Sequence, residues 1–175
     1  MKLTWFGDTA IRIYIGGQIF VVDPQLAPRG VDQAELAAGA ERVLQLAGED
    51  GAETIDPGGW RPQKAPRMID EGAGLPPVRL YRIGPQALLI DAVGEAPLVL
   101  VGSEDIGFGR WADGAVMVLF GAGRKAAERL LDAARPKLIA LAGNEQAIES
   151  TVAAIRDRLD GAGLVALEPG LAVEV

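Results

Sequence analysis

Apolar residues near the start of the chain recur at every second position. In Thr9-Ala-Ile-Arg-Ile-Tyr-Ile, the side chains of Ile11, Ile13 and Ile15 alternate with Arg12 and Tyr14, the period of a strand buried on one face. Gly16-Gly17 reads as a two-residue hairpin turn. Ile19-Phe-Val-Val is a continuous apolar run, suited to a strand covered on both faces, and Asp23-Pro24 stops it. Residues 2–23 therefore predict three short strands. A helix is predicted over 32–46, with Asp32 placed to accept from the first-turn amides and Glu35 in capping-box position. In that helix Leu36, Val43 and Leu44 share one face, and Glu35, Glu41 and Arg42 face water.

The pattern breaks down over residues 48–77, where six glycines and five prolines predict only short regular structure. Strand signals then resume. Residues 78–83 and 87–91 flank a Gly84-Pro85 turn, and 97–102 and 115–120 are apolar runs. A helix over 121–134 turns Leu130 and Leu131 inward and stops at Pro136. Residues 137–142 predict a buried strand. Asn144 is positioned to cap a helix that carries Ile148, Val152, Ile155 and Leu159 on one face, with Gly161 as its stop. Short strands over 164–167 and 171–175 close the chain around Glu168-Pro169-Gly170, and no repeat of fixed period is present.

Composition narrows the class of protein. The 175 residues are 49% hydrophobic, mostly aliphatic, which suits one packed globular domain over 1–175 with an irregular stretch at 48–77. A net charge of −7 disfavours phosphate backbones and anionic lipid surfaces, so neither nucleic acid nor a membrane is expected as partner. No apolar run approaches the ~20 residues of a spanning helix. With no signal-like segment at the start, the chain is expected in the cytoplasm. Cysteine and histidine are both absent. Disulfides, thiolate ligands and imidazole ligands are thereby excluded, and with them the one side chain that ordinarily titrates near neutrality.

The opening stretch through Gly7-Asp8 and the apolar strand ending in Asp23-Pro24 resemble the entry hairpin of the metallo-β-lactamase-fold hydrolases, in particular the branch of the ascorbate-phosphate lactonases. The resemblance continues in Arg135-Pro-Lys-Leu-Ile-Ala-Leu-Ala-Gly, in Leu98-Val-Leu-Val-Gly-Ser103, and in residues 165–174, which are similar to the family's closing hairpin. It implies an α/β (α+β) fold: a shortened αββα sandwich of two mixed sheets with outer helices. It also implies a metal site whose ligands have been lost. Asp8 stands where the family carries a histidine, Ser103 where it carries the bridging aspartate, and Ala142 or a neighbour where it carries a late histidine. The H-x-H-x-D-H motif that follows the Asp-Pro is missing, and 48–77 reads as what remains of that region.

On this basis Asp8, Asp23, Ser103, Glu104, Asp105 and Ala142 are expected to surround a vestigial pocket, with no catalytic residues, no metal and no cofactor. The expected function is a non-catalytic member of the fold, acting as a binding or assembly module. Two alternatives stand beside it. One is a residual hydrolase of a phosphate or lactone that holds a hard cation on Asp8, Asp23, Glu104 and Asp105. The other is a regulatory subunit of an active relative. The strand-end aspartates also have a plainer reading as turn caps. Ser103 lacks a nucleophile-elbow context and a neighbouring base, neither Lys125 nor Lys137 being placed beside it by spacing. Gly121-Ala-Gly-Arg-Lys125 lacks both nucleotide-binding patterns and reads first as a turn. Of Trp5, Trp60 and Trp111, Trp60 is the one expected to cover a strand edge or join a partner. Surface exposed by the missing segment predicts a homodimer.

Overall fold

The computed structural model describes residues 1–48, 51–64, 77–103 and 105–175. The alternating N-terminal segment forms β1 (Lys2–Gly7), β2 (Ala10–Ile15) and β3 (Gln18–Val22). Gly16 and Gly17 make the expected turn with φ of 58° and 76°, and a Cβ on Gly16 would lie 2.7 Å from Val78, so the position is closed to other residues.

The predicted helix over 32–46 is two elements. Asp32 does cap it, its carboxylate accepting from the amides of Ala34 at 2.8 Å and Glu35 at 3.3 Å, but α1 runs only over Gln33–Ala37. Gly39 follows in the left-handed region at φ 70°, and the chain re-emerges as β4 (Arg42–Leu44), parallel to β3. Val43 and Leu44 then point to opposite sides, Leu44 fully buried and Val43 half exposed, which is strand behaviour and not helical. The open edge of β3 supplies the hydrogen bonds that decide the matter. Arg12 holds α1 against the outer side of β2, its guanidinium donating to the carbonyls of Leu36 and Ala38.

In the second half, β5 (Glu53–Thr54), β6 (Arg79–Gly84), β7 (Ala87–Asp91), β8 (Leu98–Val101) and β9 (Val116–Phe120) are followed by α2 (Arg124–Ala133) and β10 (Leu138–Ala142). Then come α3 (Glu145–Ile155), β11 (Gly163–Ala166) and β12 (Ala172–Glu174). The α3 cap is as expected, Asn144 accepting from Ala147 at 2.9 Å, but the helix gives way to a 3-10 turn at Arg156–Arg158 before Gly161 reverses the chain. The closing strands are not a hairpin. β11 pairs with β10 in one sheet, and β12 pairs with β1 in the other. Pro169-Gly170 carries the chain across, anchored by the Gly170 amide on the Trp5 carbonyl at 2.7 Å.

The sheets are mixed, five strands ordered β12-β1-β2-β3-β4 and seven ordered β11-β10-β9-β8-β7-β6-β5. Their facing sides form one apolar layer, with Leu3, Ile11, Ile13 and Phe20 against Leu88, Ile90, Leu100 and Val118. The outer side of the larger sheet is covered by α2 and α3 through Ala127, Leu130, Leu131 and Ile155. Within the 48–77 stretch, the described part holds β5 and a 3-10 turn at Pro57–Gly59, while 49–50 and 65–76 lie outside the described residues. Trp60 is buried in the layer outside the larger sheet, against residues such as Ile83 and Leu89, so its ring covers sheet surface. Among the described residues no helix is long and apolar enough to cross a membrane.

The same stretch is latched to β7. The Gln63 amide donates to the Asp91 carboxylate at 3.0 Å, and its side-chain amide donates to the Asp91 carbonyl at 2.9 Å. Burial pushes the Asp91 carboxyl above its ordinary range, and the Gln63 hydrogen bonds and the charge of Arg79 offset this only in part. A carboxyl raised in the folded state binds its proton more readily folded than unfolded, so stability falls as pH rises through that folded value. Asp91→Asn removes the titration. The expected outcome is that the variant gains on the wild type between pH 4 and pH 7 in urea unfolding, and a difference that is flat with pH would contradict it.

Candidate functional site

Strands β8, β9, β10 and β11 run parallel, so the loops that follow them leave from one end of the sandwich. The β1–β2 turn and the end of β3 reach the same end. A cleft of about 460 Å³ there is lined by Asp8, Thr9, Asp23, Gln25, Gln45, Gln86, Gly102 and Phe120, among others. A second, of about 1010 Å³, is lined by Trp5, Asp8, Ala142, Asn144, Glu145, Ile148, Glu149, Leu167, Glu168 and Pro169, among others. Both share Asp8 and Gly121, so together they form one groove across the end of the fold.

Of the residues expected around a pocket, Asp8, Asp23 and Ala142 line this groove. Ser103 is half-buried and Asp105 exposed, and neither lines it. Glu104 lies outside the described residues. Sequence reasoning missed Gln25, Gln45 and Gln86 on one side, and Glu145, Glu149 and Glu168 on the other. The glutamines carried no pattern that could have marked them. The glutamates follow Asn144 and precede Pro169, both recognisable loop landmarks, and were readable as a rim once the two loops were known to meet.

Asp23 is a structural clamp. It sits in the left-handed region at φ 45°, almost wholly buried, and its carboxylate takes the Thr9 hydroxyl at 2.6 Å, the Gln25 amide at 3.2 Å and the Leu46 backbone amide at 3.3 Å. It thereby ties the β1–β2 turn to the end of β4. This is the turn-cap reading, with a longer reach than a turn. Asp8 is also left-handed, at φ 47°, but its side chain is exposed, and its carbonyl accepts the Trp5 indole N–H at 2.9 Å.

The β10 end is closed by packing. Ala142 is fully buried between the sheets, and a Cβ on Gly143 would lie 2.9 Å from the Ala122 nitrogen. Ala122 adopts φ 55°, a conformation that costs a residue with a Cβ about 1–2 kcal/mol. Its amide donates to the Ala142 carbonyl at 3.0 Å, and its own carbonyl accepts the buried Thr151 hydroxyl, so β10 and α3 together hold it there. A donor side chain has no room at this strand end.

These residues do not fit a hydrolytic metal. Zinc needs three or four converging nitrogen, sulfur or carboxylate donors, and harder cations need more oxygens. Among the described residues no group of three His, Cys, Asp or Glu side chains converges. The Asp23 carboxylate is already engaged, and Ala142 offers nothing. Asp23→Ala orphans the Leu46 amide and the Thr9 hydroxyl and forces alanine into the left-handed region. The expected cost is about 2–4 kcal/mol in thermal or urea unfolding, whereas Asp8→Asn, exposed and tolerant of that backbone, should cost under about 0.5 kcal/mol.

No protein-family model matches the chain, and no curated protein does. Two solved structures share its architecture. Igni18, a metallo hydrolase from the hyperthermophilic archaeon Ignicoccus hospitalis, aligns with a TM-score of 0.57 at 17% identity, covering 99% of this chain and 98% of its own. A candidate Zn-dependent hydrolase of the metallo-β-lactamase superfamily from Thermotoga maritima aligns with a TM-score of 0.54 at 14% identity, covering 96% and 99%. At such identities the likeness is one of fold: the chain has the two-sheet architecture of the metallo-β-lactamase superfamily hydrolases, in a form with few helices.

Proposed function

We propose that the chain is a non-catalytic binding module on a metallo-hydrolase fold. The observation that carries this reading is the state of the strand ends where the resemblance would place metal ligands. One carries an exposed aspartate, one a carboxylate spent on internal hydrogen bonds, one a serine outside the groove, and one an alanine buried between the sheets. Without a strongly polarising ion, a bound water is not brought near the pKa at which hydroxide is available at neutral pH. With no histidine in the chain, general acid–base work would fall to a carboxylate, lysine or tyrosine shifted far from its usual range.

What the groove retains suits binding. It is open, it sits at the carboxyl ends of parallel strands where ligands of α/β proteins commonly lodge, and its walls combine amide side chains with apolar surface. The experiment is elemental analysis of protein purified without chelators, paired with hydrolysis assays on lactone and phosphate-ester panels. The expected outcome is transition metal far below one ion per chain, and no turnover that Asp8→Ala abolishes. A stoichiometric ion together with activity lost in Asp8→Ala would instead establish a carboxylate-based hydrolase.

A further inference from the structure

Aspartate followed by glycine is a step prone to rearrange its own backbone, because no side chain on the second residue screens the amide nitrogen from the carboxyl. The chain has three such steps, at 50–51, 113–114 and 160–161, and the last two lie wholly within the described residues. Both read Asp-Gly-Ala, both are exposed turns, and both glycines have positive φ, 72° at Gly114 and 89° at Gly161. A Cβ on either glycine would meet nothing. Locally the two are alike, and only their surroundings differ.

At 113–114 both reacting groups are engaged by the backbone of one residue, Arg135, between α2 and β10. The Gly114 amide donates to the Arg135 carbonyl at 2.8 Å, and the Asp113 carboxylate accepts the Arg135 amide at 2.8 Å. Nucleophile and target are each held toward a third residue. No such clamp exists at 160–161, in the link from α3 to β11. The Gly161 amide donates to no group among the described residues, although the amides of Ala162 and Gly163 are bonded to the carbonyls of Leu159 and Lys137 at 2.8 and 2.9 Å. The Asp160 side chain is 70% exposed, against 41% for Asp113. Its polar contact is the ion pair with Arg135 Nε at 2.8 Å, and an exposed pair of this kind is weak and screened by salt. Asp160 also stands in the left-handed region, at φ 46°.

We propose that Asp160–Gly161 is a site of spontaneous backbone modification, converting to an isoaspartyl linkage in the folded protein, and that the Arg135 backbone protects Asp113–Gly114 from the same step. The Gly161 nitrogen attacks the side-chain carbonyl carbon of Asp160, and a nitrogen–carbon bond forms. The carboxyl C–O bond breaks, and its hydroxyl leaves with the amide proton as water. Water then adds to the five-membered imide. Breaking the nitrogen's bond to the side-chain carbon restores aspartate. Breaking its bond to the main-chain carbon leaves the chain routed through the side chain, one methylene longer, with a free α-carboxylate at position 160. The step uses no catalytic side chain, so it is independent of what the end groove binds.

The test is peptide mapping of the full chain after incubation at neutral pH. Isoaspartate is read by labelled methyl transfer from S-adenosylmethionine with an isoaspartyl carboxyl methyltransferase. Asp160 is expected to gain label about tenfold faster than Asp113 or more, the factor set by two hydrogen bonds that must open first. In urea the two sites should converge, because their local sequences match. Two further readouts do not require the slow aspartyl reaction. The Asp160→Asn variant should deamidate while folded and the Asp113→Asn variant only in urea, and hydrogen exchange should find the Gly161 amide open and the Gly114 amide protected. Equal label at both sites in folded protein, no label at Asp160 where the unfolded chain gains it, or a protected Gly161 amide would each overturn the assignment.

Discussion

The constraint on which the rest depends is the apolar layer between the two sheets. Each sheet has an inward row that must be covered, and face-to-face packing of Ile11, Ile13 and Phe20 against Leu88, Leu100 and Val118 covers both at once. That packing sets which strand ends meet. With β8, β9, β10 and β11 parallel in the larger sheet, and the β1–β2 turn and β3 end in the smaller, six connections converge on one end of the molecule. The groove there follows from how the sheets are stacked, and it persists whatever side chains occupy it.

What those side chains are has been settled locally, and mostly in favour of structure. Asp23 spends its carboxylate closing the gap between a turn and an edge strand. Ala122 tolerates a left-handed backbone because β10 and α3 both hold it, and that contact seals the strand end where a ligand side chain would have to emerge. The fold matches two solved structures over nearly the full length of the chain, while among the described residues no three His, Cys, Asp or Glu side chains converge. The electrostatic consequence is a groove ringed by carboxylates without basic residues among its described walls.

Local pattern made most of the sheets legible. Strict alternation marked β2, Gly16-Gly17 marked the hairpin, and continuous apolar runs marked β7, β8 and β9. Caps were equally plain, as Asp32 and Asn144 show. The failures share a cause. Val43 and Leu44 continue a helical face on paper, yet the unpaired edge of β3 turns them into a strand. The last two segments flank a turn and resemble a hairpin, yet β11 and β12 each satisfy an open edge in a different sheet. Available hydrogen-bonding edges are a property of the assembled sheets, which no window of sequence contains.

The site divides in the same way. Lack of imidazole and thiolate is a fact of composition, and by itself it determined that this chain cannot hold a metal as a histidine- or cysteine-based hydrolase does. Only the tertiary structure decided that Asp23 is consumed by its neighbours, that Ser103 and Asp105 stand outside the groove, and that Glu145, Glu149 and Glu168 gather beside Asp8. A residue's type is local information. Whether its charge is engaged, exposed or opposed depends on what the fold brings within a few ångströms of it.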